Sequence, residues 1–216
     1  MLFGDSFSYR VNQTGPVYRQ SDYSYWVWAN LLLGSPMRLV SNLGVSGNTT
    51  TQMVARLDAA VAVDAGICFV QGGINDFSAS GSVATVVANL QTICNTLRSS
   101  RLVVLLAIAP NTSPASNAFK ITAANEALRR WATTVGNVIF VDVFAAMVNP
   151  TDTTGALASG MSSDALHPSV KGARAMGAAI AAALGKYIPT TPPLLPSSAA
   201  DSYAIDAASN QILTNP

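Results

Sequence analysis

The sequence predicts an α/β fold in which helices cover a five-stranded parallel sheet. Between residues 37 and 143, short β-branched runs alternate with longer helical patterns, an alternation typical of βαβ units and of a parallel sheet. The central strand candidates are apolar, which suits burial on both faces. A length of 216 residues accommodates one such domain with a sizeable core.

Five short segments have the composition of strands, and helical segments separate them. The predicted strands are residues 1–3, 38–42, 67–71, 102–108 and 138–141. The predicted helices, whose apolar positions lie three and four residues apart, are residues 25–33, 50–60, 83–98, 118–134 and 169–186. Helices are therefore expected on both faces of a doubly wound sheet.

Loops and a tail complete the predicted organisation. Residues 7–24 and 111–117 are expected to form long surface loops at the rim of the sheet, where such loops usually shape a binding site. After Tyr187, repeated prolines predict an extended linker because they exclude helix and interior strand. We therefore expect one domain over residues 1–187, followed by a linker and tail over residues 188–216. The tail is compatible with a packed end, a disordered end or the first strands of a further module.

Composition excludes several classes of partner. Only 11% of the residues are charged and the net charge is +1, so no basic face is available for nucleic acid. The apolar runs, such as residues 102–110, are shorter than the roughly 20 residues that a membrane-spanning helix needs. The amino-terminal residues show no signal-peptide pattern, because a Gly-Asp-Ser sequence follows the third residue.

A single histidine, His167, is the only side chain that titrates near neutrality without perturbation. Asp164 lies three residues upstream, a spacing that places both side chains on one side of a turn. Pro168 disfavours helical geometry at His167 and is itself favoured at a first helical position, so His167 should stand just ahead of the helix that follows. A lone histidine is more often an ordinary surface or core residue, so this pair needs support from elsewhere.

Ser6 is the candidate nucleophile that such a base requires. It follows the first predicted strand, and Gly4 permits a tight strand-to-helix turn. Ser6 would then be exposed at the carboxyl end of that strand. Taken alone, Gly-Asp-Ser is more often a turn than an active site.

Two further turns fall at matching places, residues 42–50 after the second strand and residues 72–76 after the third. All four motifs therefore gather at the carboxyl edge of the sheet, where doubly wound folds bind their ligands. Unrelated turns would be distributed over both edges. Asn75 alone would be assigned to capping a turn, and we interpret Asp5 and Asp76 as structural residues that bond their own loops.

Four segments resemble, in order, sequence blocks of the SGNH, or GDSL-type, hydrolases: residues 3–6 (FGDS), 45–49 (VSGNT), 73–76 (GIND) and 164–167 (DALH). The resemblance implies a three-layer α/β/α fold with a flavodoxin-like sheet and no cofactor. It also implies a serine esterase in which Ser6 attacks the acyl carbon, His167 takes its proton and Asp164 orients His167. Phe7 departs from the leucine that the family has after the serine.

The same resemblance implies an oxyanion hole. Its donors would be the backbone N–H groups of Ser6 and Gly47 and the side-chain amide of Asn75. Acyl transfer builds negative charge on the carbonyl oxygen, and each donor lost from such a hole typically costs about 10²- to 10³-fold in rate.

Other kinds of site find little support in the sequence. One histidine and two separated cysteines, Cys68 and Cys94, cannot furnish a zinc site, so no metal is expected. We expect both thiols to be buried and free. The Gly-X-Ser-X-Gly elbow of the α/β-hydrolases is absent, as are the nucleotide-binding glycine patterns. A glycan-binding or assembly module with a vestigial triad stays an alternative.

The substrate is less well specified. Members of the family hydrolyse carbohydrate O-acetyl groups, lipids, lysophospholipids and thioesters. Polar and aromatic side chains in the first loop suit sugars better than an acyl-chain tunnel; they are Tyr9, Arg10, Asn12, Gln13, Tyr18, Arg19 and Tyr23. We therefore expect a short-acyl, carbohydrate-directed esterase, with a lipase, lysophospholipase or thioesterase as the alternative. Low charge and a Pro-rich tail fit an extracellular or virion-associated protein.

Overall fold

A computed structural model of the protein describes residues 1–9, 21–110, 115–152, 154–188, 203–206 and 211–214. At its centre is a parallel sheet composed of β1 (Leu2–Gly4), β2 (Asn42–Gly44), β3 (Ile67–Gln71), β4 (Leu102–Leu106) and β5 (Val138–Val141). The strands lie in the order β2-β1-β3-β4-β5. This is the doubly wound, flavodoxin-like order, so the predicted fold class is confirmed.

Helices lie on both faces of this sheet. Those of the described residues are α1 (Ser6–Tyr9), α2 (Tyr25–Leu32), α3 (Thr50–Ala55), α4 (Leu57–Val61), α5 (Ile74–Ser78), α6 (Val83–Leu97), α7 (Ala115–Ala132), α8 (Val143–Met147) and α9 (Val170–Leu184). The chain passes outward from β1 to β2 and then returns across β1 to β3. Because such crossovers are right-handed, the reversal places α2 and the helices that follow β2 on opposite faces. Accordingly, α2 packs against α9, whereas α6 packs against α3 and α7.

The core lies around the central strands. Phe69 and Val70 of β3 and Val104 and Leu105 of β4 are buried, as expected of strands covered on both faces. Both cysteines are buried and free, as the sequence predicts.

The second predicted strand is shifted. We expected residues 38–42, but β2 is Asn42–Gly44. Its partner β1 has only three residues, and the ladder pairs Leu2 with Asn42 and Gly4 with Gly44. Residues 38–41 therefore precede the ladder, with Arg38 and Val40 exposed.

One predicted helix is divided. Residues 50–60 form α3 and α4, which meet at Arg56, whose φ of −118° and ψ of 20° are not helical. The sequence around Arg56 contains no Gly or Pro that would predict the break.

The predicted extents of both rim loops, residues 7–24 and 111–117, are partly wrong. Residues 7–9 belong to α1 and residues 115–117 belong to α7, while residues 10–20 and 111–114 lie outside the described residues. Helix α1 has four residues and α5 has five, which is too short for a helical period to show in the sequence.

The last helix of the described chain, α9, ends at Leu184. Residues 189–202 lie outside the described residues, so the boundary near residue 187 stays a prediction. In the tail, β6 (Tyr203–Asp206) and β7 (Gln211–Thr214) pair with each other as antiparallel strands. Within the described ranges, no helix is long and apolar enough to cross a membrane.

Candidate active site

The candidate site lies where the strand order reverses. Ser6 follows β1, and Asn75 lies in the first turn of α5, which follows β3. Strands β1 and β3 are neighbours in the sheet, and the chain leaves them in opposite directions. The crevice at the carboxyl ends of two such strands is the usual ligand site of doubly wound folds.

The turn that carries Ser6 depends on Gly4 and Asp5. A β-carbon at Gly4 would lie 2.3 Å from the Gln71 carbonyl oxygen, so no larger residue fits at the end of β1. The carboxylate of Asp5 accepts a hydrogen bond of 3.0 Å from the Phe7 N–H group, which caps the first turn of α1. Ser6 therefore begins α1 immediately after the strand.

Ser6, His167 and Asp164 form a continuous chain of hydrogen bonds. The distance from Ser6 Oγ to His167 Nε2 is 2.8 Å, and that from His167 Nδ1 to Asp164 Oδ2 is 2.7 Å. The structure thus brings together three residues that lie up to 161 positions apart in the chain.

The ionisation of Asp164 decides which atoms donate and which accept in this series of hydrogen bonds. Partial burial acts to raise its pKa, but hydrogen bonds from the His167 N–H group, the imidazole and the Leu166 N–H group lower it to about 2. An ionised carboxylate can only accept, so Nδ1 of His167 carries a hydrogen atom. In the neutral ring Nε2 then accepts from the Ser6 hydroxyl, which is the state that a general base requires.

The segment between Asp164 and His167 is a tight loop. Ala165 has a φ of +70°, a left-handed conformation that is uncommon outside glycine. The His167 carbonyl oxygen accepts hydrogen bonds from the Ser162 hydroxyl at 2.7 Å and from the Ser163 N–H group at 3.1 Å. These bonds close the loop and hold the imidazole toward Ser6.

Phe7 provides a further contact with the base. Its side chain is buried, and its ring centroid lies 5.6 Å from that of His167 with the planes tilted by 44°. Phe7 therefore stands where it can support the imidazole from one side, in the position where the family has leucine.

The loop after β2 presents Gly47 to solvent. Gly47 has a φ of +78°, and apart from its chain neighbours no described residue has an atom within 4 Å of a β-carbon built on it. The positive φ favours glycine. Within the described residues, the backbone N–H groups of Gly47 and Ser6 donate no hydrogen bond. Gly47 is exposed, whereas Ser6 is only 5% exposed and not, as predicted, an exposed residue, because it packs in the tight turn between β1 and α1.

Asn75 is fixed next to this loop. Its Nδ2 donates to the Asn48 carbonyl oxygen at 2.9 Å, which uses one of its two amide hydrogens; the other makes no hydrogen bond to the part of the chain that the structure describes. We expected the side chain of the neighbouring Asp76 to bond its own loop, but its described hydrogen bonds go to a different helix. It accepts hydrogen bonds from the Thr50 N–H group at 2.8 Å and the Thr50 hydroxyl at 2.6 Å, and it therefore ties α5 to α3.

Asp5 lies beneath the site in unusual surroundings. It is fully buried, and this burial raises its pKa to about 7, against weaker lowering effects from the Phe7 N–H group and the Gln71 amide. Although Gln71 is near enough to act on Asp5, neither its amide atoms nor Asp5 Oδ2 has a hydrogen-bond partner among the described residues. As the sequence suggested, the hydrogen bond that the Asp5 side chain makes among the described residues is within its own turn.

Arg56 is a residue of this region that sequence reasoning missed. Its guanidinium group bonds the segments that carry Ser6 and Gly47. An arginine inside a predicted helix is ordinarily assigned to the solvated face, so the sequence contains no signal for this role.

Among the described residues, no group of three or more His, Cys, Asp or Glu side chains could hold a metal ion.

A serine, a histidine and a carboxylate joined in this way at the switch point of a parallel α/β sheet define the hydrolase class. A model of the GDSL-like Lipase/Acylhydrolase family matches residues 2–175. The chain belongs to this family, as its motifs indicated, and it is an ester-cleaving hydrolase. No curated protein is significantly similar to it in sequence.

Several solved structures share the fold. The lipase/acylhydrolase from Enterococcus faecalis is 21% identical with a TM-score of 0.65, over 88% of this chain and 96% of that one. A GDSL-like lipase from Bacteroides thetaiotaomicron is 17% identical with a TM-score of 0.64, over 87% of each chain. An α/β hydrolase from the metagenome of Lake Arreo, Spain, is 20% identical with a TM-score of 0.66, over 85% and 93%. At these identities the similarity establishes the fold.

Proposed function

We propose that the protein is a serine esterase that works through an acyl-enzyme, with Ser6 as nucleophile, His167 as general base and Asp164 as the residue that orients His167. The observation that carries this proposal is the chain of hydrogen bonds from Asp164 Oδ2 through His167 to Ser6 Oγ, at 2.7 and 2.8 Å. The distance from Ser6 Oγ to His167 Nε2 lies within the range over which a nucleophile transfers its proton to a base, and the bond from Nδ1 to Asp164 orients the imidazole.

The proposed reaction has two halves. Ser6 Oγ bonds to the acyl carbon while its proton passes to His167 Nε2, and the carbonyl oxygen becomes an oxyanion. When the ester bond breaks, the same proton passes to the departing alcohol, which leaves an acyl-enzyme. A water molecule then attacks with His167 again as base, and the proton returns to Ser6 as the acid is released.

The proposed donors to the oxyanion are the N–H groups of Ser6 and Gly47 and the amide of Asn75. In support, the two backbone groups and the second amide hydrogen of Asn75 make no hydrogen bond within the described residues, while the first amide hydrogen is held by the Asn48 carbonyl oxygen. Neutral, preorganised donors of this kind stabilise the charge that develops in the transition state.

For the substrate we propose a short acyl group, such as acetyl, on a carbohydrate. The loop at residues 45–47 is exposed, and among the described residues no atom beyond the two chain neighbours of Gly47 lies within 4 Å of a β-carbon built on it, so this loop leaves room for a bulky carrier beside the proposed donor. The exposed rings of Tyr9 and Tyr23, at 44% and 41%, suit stacking on sugars. The other loop residues that support this preference, Arg10, Asn12, Gln13, Tyr18 and Arg19, lie outside the described residues.

A chain-length series of p-nitrophenyl esters, run beside acetylated polysaccharides, tests both parts of the proposal. We expect kcat/KM to fall from acetate to octanoate and acetate to be released from the polysaccharide. Replacing Ser6→Ala should abolish turnover, since loss of a triad serine costs about 10⁶-fold in kcat. Octanoate preferred over acetate would favour a lipase or thioesterase, while undiminished hydrolysis by the Ser6→Ala variant would exclude the serine mechanism.

A further inference from the structure

Arg56 occupies an unusual place in the chain. It is the residue at which α3 ends and α4 begins, and it is half-buried. Burying part of a guanidinium group costs free energy unless its N–H groups find acceptors. The acceptors that Arg56 finds therefore indicate what it does.

Three acceptors surround the guanidinium group, each at 2.7 Å. Nη2 donates to the Gly4 carbonyl oxygen, Nη1 to the Leu43 carbonyl oxygen and Nε to Asn48 Oδ1. The carbon at the centre of the group also lies 4.6 Å from the centroid of the Phe3 ring, within the range of a cation–π contact. Arg56 thus joins the end of β1, the end of β2 and the loop that follows β2.

These are the segments that carry the proposed oxyanion donors. Gly4 lies two residues before Ser6, and its carbonyl oxygen also accepts from the Val45 N–H group at 3.0 Å. Asn48 follows Gly47, and its carbonyl oxygen accepts from Asn75 Nδ2. A displacement of Arg56 would therefore affect all three donors.

The chemistry of the contact requires arginine. A guanidinium group presents five N–H groups in a rigid planar fork and stays charged, so it can hold three separated acceptors at once. A lysine ammonium is a single point of charge on a flexible stem and cannot reproduce the same spacing.

We propose that Arg56 is a positioning residue that holds the Ser6, Gly47 and Asn75 donors in the arrangement that an oxyanion requires. The proposal rests on the function proposed above. Because the oxyanion forms only in the transition state, loss of Arg56 should reduce kcat while KM changes little.

The test uses steady-state kinetics on p-nitrophenyl acetate with the full chain and Arg56→Lys and Arg56→Ala variants. We expect kcat to fall by about 10²- to 10³-fold in Arg56→Ala, with KM within about threefold of wild type. Arg56→Lys should lose at least about tenfold in kcat. Added guanidinium ion at millimolar concentration should restore part of the kcat of Arg56→Ala, whereas methylammonium should not.

Arg101 supplies a matched control, because it makes a similar set of bonds away from the site. Its guanidinium group donates to the carbonyl oxygens of Ala60, Val61 and Val63. Arg101→Ala should lower the melting temperature, yet its kcat should stay within about twofold of wild type below that temperature, which separates positioning from general stability.

The outcomes distinguish the two levels of the proposal. If Ser6→Ala is inactive while a folded Arg56→Ala keeps kcat within threefold of wild type, the role of Arg56 is refuted and the serine mechanism stands. If Arg56→Ala does not fold, Arg56→Lys decides, and an unchanged kcat in that variant overturns the proposal. Retained hydrolysis by Ser6→Ala overturns both.

Discussion

Asp5 and Ser6 are adjacent in the chain but lie in different electrostatic surroundings. Ser6 bonds His167, whose ring is 19% exposed and is backed by Asp164, at 42% exposure. Asp5 is fully buried, with one carboxyl oxygen bonded to Phe7 and the other unpaired within the described residues. The Asp164 carboxylate, which has to be charged to orient His167, therefore faces water, whereas the structural Asp5 is shielded from water. Burial raises the pKa of Asp5 to about 7 because water no longer stabilises the charge.

The raised pKa of Asp5 predicts how the free energy of unfolding depends on pH. The folded protein keeps a proton on Asp5 up to about pH 7, whereas the group has an ordinary value of 3.8. Between these values the folded state binds more protons than the unfolded state, so Asp5 makes stability fall as pH rises, by roughly 1.4 kcal/mol per pH unit. Asp5→Asn keeps an acceptor for Phe7 and removes the titration.

Urea unfolding at pH 4, 6 and 8 measures this effect. The stability of Asp5→Asn relative to wild type should rise between pH 4 and pH 7 and then stay level. A difference that is constant across this range would show that Asp5 is ionised in the folded protein at all three values.

At the scale of secondary structure elements, prediction succeeded where burial determines the pattern. Strands β3 and β5 have the predicted bounds, since each is a short apolar run set off by turns. Strand β2 was misplaced because a three-residue partner, β1, fixes its register. The break at Arg56 was missed because bonds to Gly4 and Leu43, 52 and 13 positions away, accompany it.

The same distinction applies to the candidate site. Ser6, Asp164 and His167 could be proposed from sequence because the chain has one histidine, and Ser6 and Asp164 lie in segments that resemble sequence blocks of the family. Arg56 could not, since its surroundings exist only after three distant segments have folded together.

The packing of α2 against α9 leads to a prediction at the same scale. A β-carbon at Gly177 would lie 2.5 Å from Trp28 Cβ and 2.8 Å from the Ala29 backbone nitrogen. Rotating a side chain cannot relieve these contacts, so Gly177→Ala should force the helices apart. We expect it to lower the free energy of unfolding by about 1–3 kcal/mol, despite the higher helix propensity of alanine.

Gly136 offers the matched control, because among the described residues only its chain neighbours would lie within 4 Å of a β-carbon there. Gly136→Ala should leave stability unchanged or raise it slightly. Urea denaturation of both variants provides the comparison. Equal effects at the two positions would mean that the α2–α9 contact does not depend on the absence of a side chain at Gly177.

For the whole molecule, the site depends on the complete sheet. Ser6 follows the first described strand, and His167 lies just ahead of the last described helix. Asn75 comes from the centre. The family match over residues 2–175 covers all of these positions, and the last of the described helices ends at Leu184. The sheet, its helices and the proposed catalytic residues therefore lie within residues 1–188.

This distribution predicts that the tail is dispensable for catalysis. A chain that ends at Ile188 keeps every described hydrogen bond of the candidate site, from Asp164 to Asn75, and keeps the Ile188 N–H bond to the Leu184 carbonyl oxygen. Its kcat on p-nitrophenyl acetate should stay within about twofold of the full chain, and its melting temperature within a few degrees, because few packed contacts cross a domain boundary.

Activity of the shortened chain on acetylated polysaccharide, measured in parallel, separates two roles of the tail. A selective loss on the polymer would assign residues 189–216 to the carrier, whereas unfolding would show that they belong to the domain and that its predicted boundary near residue 187 is wrong.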